Sequence, residues 1–192
     1  MGKLVDYAEI RSGHPFRGTV PEEKNGFALT VQMRDVDPIK GVAWASVART
    51  SPTGRKDPDW LRPDDILFLS RGLYNYALFL EHVPEKTICS QYFFVVRIKE
   101  PRLLPAFVAW QINQSPVQTY LRNNAEGSDQ QSIRRAVLEG IPLVIPTIEQ
   151  QRQLLGFTQA AQQARERLES IIRNGELEAQ SVVARFLSSI SE

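Results

Sequence analysis

The chain has 192 residues, 42% of them hydrophobic, enough for one domain of ordinary size with a buried core and an appendage. Its 23 basic and 22 acidic residues nearly cancel; residues 148–192 hold five basic and six acidic, so the rest carries a net charge of only +2, and composition alone does not mark a nucleic-acid binder. One cysteine rules out a disulfide framework, and the lack of a signal-peptide pattern or of a run of ~18 apolar residues predicts a cytoplasmic protein with no membrane segment.

The first landmark is Ile10-Arg11-Ser12-Gly13-His14-Pro15-Phe16, a Gly/Pro turn in which an isolated histidine reads as a turn or surface residue. Residues 27–36, 42–47, 65–70, 76–80 and 88–98 are rich in β-branched and aromatic side chains and are separated by Gly, Pro and Asp, which predicts strands. Asp64-Asp65 opens the third of these as a turn. Residues 49–59 form a polar loop rich in Gly and Pro. Cys89 sits inside the apolar run of the last strand and reads as a buried structural thiol. Helical spacing follows over 105–113, and Ser115-Pro116 supplies an N-cap and a first-turn proline for a second helix to about residue 122. A polar run over 123–132 leads to a short proline-bracketed strand within 138–146.

At Pro146-Thr147-Ile148-Glu149-Gln150-Gln151, Thr147 and Gln150 have the spacing of a capping box, which predicts the start of a long helix. Leu154, Phe157, Ala161, Ala164, Leu168 and Ile171 recur in steps of three and four. Asn174-Gly175 interrupts this seam, which resumes with Leu177, Val182, Val183, Phe186, Leu187 and Ile190, so the segment is one helix or two with a hinge. Unbroken, it would be about 65 Å long, against roughly 40 Å for a compact head, and would project. The expected fold class is α+β: a mixed, strand-rich globular head (1–146) followed by a long C-terminal coiled-coil-forming helix (147–192).

Nothing in the sequence groups into a catalytic apparatus. His14 and His82 are the only histidines, neither has metal-ligand or dyad spacing, and no phosphate-binding glycine loop occurs. The expectation is a protein with no catalytic residues, no metal and no cofactor of its own.

The order of landmarks resembles one half of a type I DNA restriction-modification specificity subunit: a single target recognition domain followed by a single conserved-region helix. The matching pieces are residues 10–16, Asp64-Asp65-Ile66-Leu67, Ser90-Gln91, Pro105 with its aromatic-rich helix, Glu126-Gly127-Ser128, and residues 138–141 leading to Ile145-Pro146-Thr147-Ile148-Glu149-Gln150. The resemblance implies a non-catalytic subunit whose head reads half of a split site in double-stranded DNA. Its helix would pair with another helix and dock DNA methyltransferase subunits, which carry S-adenosylmethionine, with a restriction subunit as a further partner. Complete members hold two heads and two antiparallel helices. One head and one helix imply a half-subunit that forms a homodimer through the C-terminal helix, and such a dimer would read an interrupted palindrome whose gap the helix pair sets.

A duplex is read by cations on phosphates and by Arg, Asn or Gln on base edges. Four stretches offer both: Arg17 with Arg34; Arg49, Arg55 and Lys56; Arg71, Tyr74, Asn75 and Tyr76; and Ser128, Gln130, Gln131, Arg134 and Arg135. The third and fourth rank highest. The seam residues Leu154, Phe157, Ala161, Ala164, Leu168, Ile171, Val182 and Phe186 are the expected dimer or partner interface, with a helix folded back on its own head as the competing arrangement. Two other functions stand beside DNA recognition: an interaction adaptor that binds a partner through the helix without DNA readout, and a stand-alone enzyme acting on nucleic acid.

Overall fold

A computed structural model describes residues 2–52, 57–127 and 131–190. The chain divides into two compact units, residues 1–148 and 149–192.

In the first unit, β1 (Gly2–Lys3) and α1 (Leu4–Tyr7) precede β2 (Ala8–Ser12), β3 (Ala28–Val31), β4 (Val36–Asp37), β5 (Gly41–Val42) and β6 (Ala48–Thr50). Then come β7 (Ile66–Leu69), β8 (Arg71–Gly72), β9 (Ala77–Phe79), β10 (Thr87–Cys89) and β11 (Phe93–Ile98). The unit continues with α2 (Pro105–Ile112), α3 (Ser115–Asn124), β12 (Gln131–Ser132), α4 (Arg135–Glu139) and β13 (Pro142–Leu143).

Two sheets enclose the core. One is antiparallel, in the order β2-β11-β7-β9; the other, β10-β3-β6, joins β10 to β3 in parallel. All four residues of β7 are buried. Because side chains alternate across a strand, Leu67 and Leu69 meet Val31, Cys89, Phe93 and Val95 on one face, while Ile66 and Phe68 point to the face on which α2 packs. Cys89 lies in this core, where burial pushes its thiol pKa up, as a structural thiol requires.

Strand starts and turns are fixed by charge and backbone geometry. Asp65, almost wholly buried, accepts from Arg97 Nε and Nη2, both at 2.7 Å, and from the amide of Arg62 at 2.9 Å. Asp64-Asp65 is therefore a turn element, as its place before a strand predicts. At Gly13 an added Cβ would lie 2.1 Å from the carbonyl oxygen of Ser90, so only glycine lets residues 13–14 run against residues 89–90.

Several predicted elements are corrected. The strand expected over 27–36 stops at Val31, and Met33–Asp35 forms a 3-10 turn in which Asp35 accepts from the amide of Gln32 at 2.9 Å. Within 42–47 only Val42 is in a strand; Trp44–Ser46 is a second 3-10 turn, and the next strand, β6, overlaps the start of the expected loop. The run 88–98 breaks at Ser90-Gln91-Tyr92 because its two ends belong to different sheets. Part of the expected turn at 10–16 is β2. The helix over 105–113 forms as α2, but Ser115 is the first residue of α3 rather than its cap, which is Gln114. The strand expected within 138–146 shrinks to β13, paired with β1.

The second unit is α5 (Ile148–Ile190), 43 residues of continuous helix. It runs through Asn174-Gly175 without interruption, which decides between one helix and two. Among the described residues no helix is long and apolar enough to cross a membrane.

Candidate nucleic-acid interface

The segment between β7 and β9 is a tight hairpin. Gly72 turns it with a φ of 147°, a value that side-chain-bearing residues rarely adopt. Asn75 is 4% exposed and donates through Nδ2 to the carbonyl oxygen of Leu69 at 3.0 Å, closing the turn from inside. Tyr76 is half-buried, with its hydroxyl 3.5 Å from the carbonyl oxygen of Val36. Asn75 and Tyr76 are both expected DNA-reading residues in the sequence; the fold buries Asn75 inside the turn and half-buries Tyr76 against the segment of Val36. Arg71 and Tyr74 remain outward, Tyr74 being 78% exposed beside Leu73 at 75%.

The two highest-ranked stretches come together. β8 pairs antiparallel with β12, placing Ser132 opposite Arg71 and Gln131 opposite Gly72. Ser70 anchors the junction: its carbonyl accepts from the amide of Ile133, while its own amide and hydroxyl donate to the carbonyl of Tyr92, at 2.8 to 2.9 Å. Glu126 and Ser132 exchange amide-to-carbonyl bonds of 3.0 and 2.8 Å, closing the base of the segment between them. Arg134 pairs with Glu126 at 3.0 Å and Arg135 with Glu139 at 2.7 Å. The Arg71 guanidinium stands 6.0 Å above the ring of Tyr92, a cation–π arrangement.

Tyr92 also borders an open cleft of about 810 Å³ lined by Gly18, Gln32, Arg34, Ser90 and Gln91 among others. Gln91 clamps the backbone of Phe16, accepting from its amide at 3.0 Å and donating to its carbonyl at 3.3 Å. Arg34 is paired with Glu22 and lies 3.8 Å from Asp35, whose pKa burial raises. Arg17 is exposed next to Gly18 on the rim of the cleft. Arg49 lies apart from it, donating to the carbonyl of Gly26 at 3.3 Å beside a smaller depression. Arg55, Lys56, Ser128 and Gln130 lie outside the described residues. Gln32, Gln91 and Tyr92 were not legible as site residues, because the cleft is assembled from the end of β3, the β10–β11 break and the segment after Phe16.

Residues Leu154, Phe157, Ala161, Ala164, Leu168, Ile171, Val182 and Phe186 all lie on α5, and all are exposed. Among the described residues no group of His, Cys, Asp or Glu side chains is placed to hold a metal ion.

No protein-family model matches the sequence, and no curated protein matches it at a significant level. Solved structures do. The chain is similar to a type I restriction-modification S subunit from M. genitalium, at 15% identity with a TM-score of 0.57, over 90% of this chain and 41% of that one. It is similar to the HsdS subunit from Thermoanaerobacter tengcongensis, at 15% identity and TM-score 0.58, over 85% of this chain and 37% of that one. A chain from a study of type I R-M complex assembly and conformational transition gives 14% identity and TM-score 0.59, over 94% and 42%. The fold is that of a type I specificity subunit. The chain spans about two fifths of the length of these subunits. The joined segments at Arg71 and Ser132, with Tyr92 and the adjoining cleft, make up the candidate interface.

Proposed function

We propose that this chain is a non-catalytic DNA-recognition subunit whose first unit reads one half-site of a bipartite duplex sequence, while α5 pairs with a second copy and offers a dock for DNA methyltransferase subunits. The observation that carries the proposal is the pairing of β8 with β12. It sets Arg71 beside Ser132, some sixty residues further along the chain, and so brings the stretch bearing Arg71 and Tyr74 next to the stretch bearing Gln131 and Arg134; together they supply the cations and amide donors that a reader of phosphates and base edges needs. The specificity-subunit fold supports the same reading. Arg71 is suited to a guanine edge or a phosphate, and Gln131 to an adenine edge. Arg17 and Arg34 on the cleft add further phosphate or base contacts, and Arg49 a more distant one. The chemistry would belong to the partner, with S-adenosylmethionine held there, and a restriction subunit would join through the same assembly.

The test is retention on duplex DNA across a salt series. A surface that contacts phosphates releases counterions, so affinity should fall linearly on a log–log plot of binding constant against salt. No retention at low salt would leave an interaction adaptor. Strand cleavage or methyl transfer by the purified chain alone would make it an enzyme.

A further inference from the structure

We infer that Leu73, with Tyr74 beside it, is a wedge: the tip of the hairpin between β7 and β9 enters the base stack of a duplex and opens one base step. The inference rests on the DNA recognition proposed above and adds to it a deformation of the DNA, made by a residue that has no polar group to offer a base.

Leu73 and Tyr74 are the two most exposed large apolar side chains among the described residues of the first unit. A single exposed leucine is ordinary. Here two neighbours share the tip of a short hairpin whose base is held from both sides. The amide of Leu69 donates to the carbonyl of Tyr76 at 2.9 Å, and the buried side chain of Asn75 donates to the carbonyl of Leu69 at 3.0 Å. On the returning side, Asn113 at the end of α2 accepts from the amide of Ala77 at 2.9 Å and donates to its carbonyl at 2.8 Å. On the outgoing side, Arg71 and Gly72 pair with Ser132 and Gln131. Ordered backbone on either side therefore presents Leu73 and Tyr74 to solvent.

Charge points to what covers them. From Leu69 to Leu80 the sequence has no carboxylate, and Arg71 stands two residues before Leu73. The hairpin of β4 and β5, whose Val36 carbonyl lies 3.5 Å from the Tyr76 hydroxyl, repeats the combination. There exposed Ile39 is next to exposed Lys40, and Asp37 fixes their turn by accepting from both amides at 2.8 Å. A duplex meets both requirements at once: it offers phosphates to Arg71 and Lys40, and apolar base faces to Leu73 and Tyr74. Apolar side chains set between base pairs unstack them, and the bend that follows brings more of the protein surface into contact.

Opening a step costs stacking, and that cost depends on sequence, being least at the flexible TA and CA/TG steps. The hairpin would thus select one step of the half-site by its deformability, alongside the bases that Arg71 and Gln131 read by hydrogen bonds. A duplex whose stack is already interrupted spares the cost, so a wedge prefers it.

The test measures the dissociation constant of the full chain by fluorescence anisotropy at one low salt concentration, for a labelled duplex and for the same duplex with a single central abasic site. The original chain should bind the abasic duplex about tenfold more tightly. Leu73→Asn, a polar side chain of similar size, should bring the two affinities within about twofold of each other, while Leu73→Met should keep the preference. Because Leu73 is exposed, all three chains should share one thermal midpoint, and because the cations are untouched, the salt dependence on the intact duplex should stay the same. An original chain that binds both duplexes equally, or a Leu73→Asn chain that keeps the full preference, would overturn the wedge; salt-dependent binding to the intact duplex would then still support DNA recognition. Binding to neither duplex would overturn both.

Discussion

Arg71 differs from the arginines around it in what its charge is doing. Arg34, Arg134 and Arg135 each sit on a carboxylate, whereas Arg71 rests over the Tyr92 ring and has no carboxylate partner among the described residues. A guanidinium over an aromatic face, with no carboxylate on it, keeps its donors for a base edge or a phosphate. Arg71→Ala should therefore weaken duplex binding by about tenfold or more, while Arg135→Ala, which breaks only an exposed pair within α4, should change it little; titration of both variants against one labelled duplex checks the contrast. Asp65 has the opposite kind of role. It is 1% exposed and accepts two bonds from Arg97, whose other carboxylate neighbour, Asp59, is 4.0 Å away, so Asp65→Ala removes the near partner of a partly buried guanidinium and should cost the head about 3 kcal/mol in denaturant unfolding.

At the scale of elements, what was legible in the sequence depended on length. α2 and α5 announce themselves through periodicity and a leading proline, and the strongest strands through β-branched runs. Two-residue strands carry no period. β1, β8, β12 and β13 exist because distant backbone segments meet, and no local signal marks them. The run over 88–98 failed for a related reason: an uninterrupted apolar sequence conceals a change of sheet, made where Ser90 donates to the carbonyl of Val31 and its own carbonyl accepts from the amide of Phe93. The candidate interface shares this character. Its two main stretches were legible separately as polar, Arg-bearing loops, but their junction and the contribution of Tyr92 were not. Because the Ser132 amide donates to Glu126 at 2.8 Å, Ser132→Pro should open the base of that segment. Duplex affinity should drop several-fold while the thermal midpoint of the head shifts by only a few degrees; a pull-down and a melting scan on the same variant measure the two effects.

For the whole molecule, a strand-rich unit and a separate 43-residue helix suit the proposed division of labour, in which one part would recognise DNA and the other would assemble. Two identical readers related by a two-fold axis can only recognise two inverted copies of one half-site. The most direct measurement is selection of bound duplexes from a randomised pool by the purified chain, followed by sequencing. Enrichment of two inverted half-sites at a constant separation is the predicted result. A pool no different from the input after repeated rounds at low salt would contradict DNA recognition by this chain.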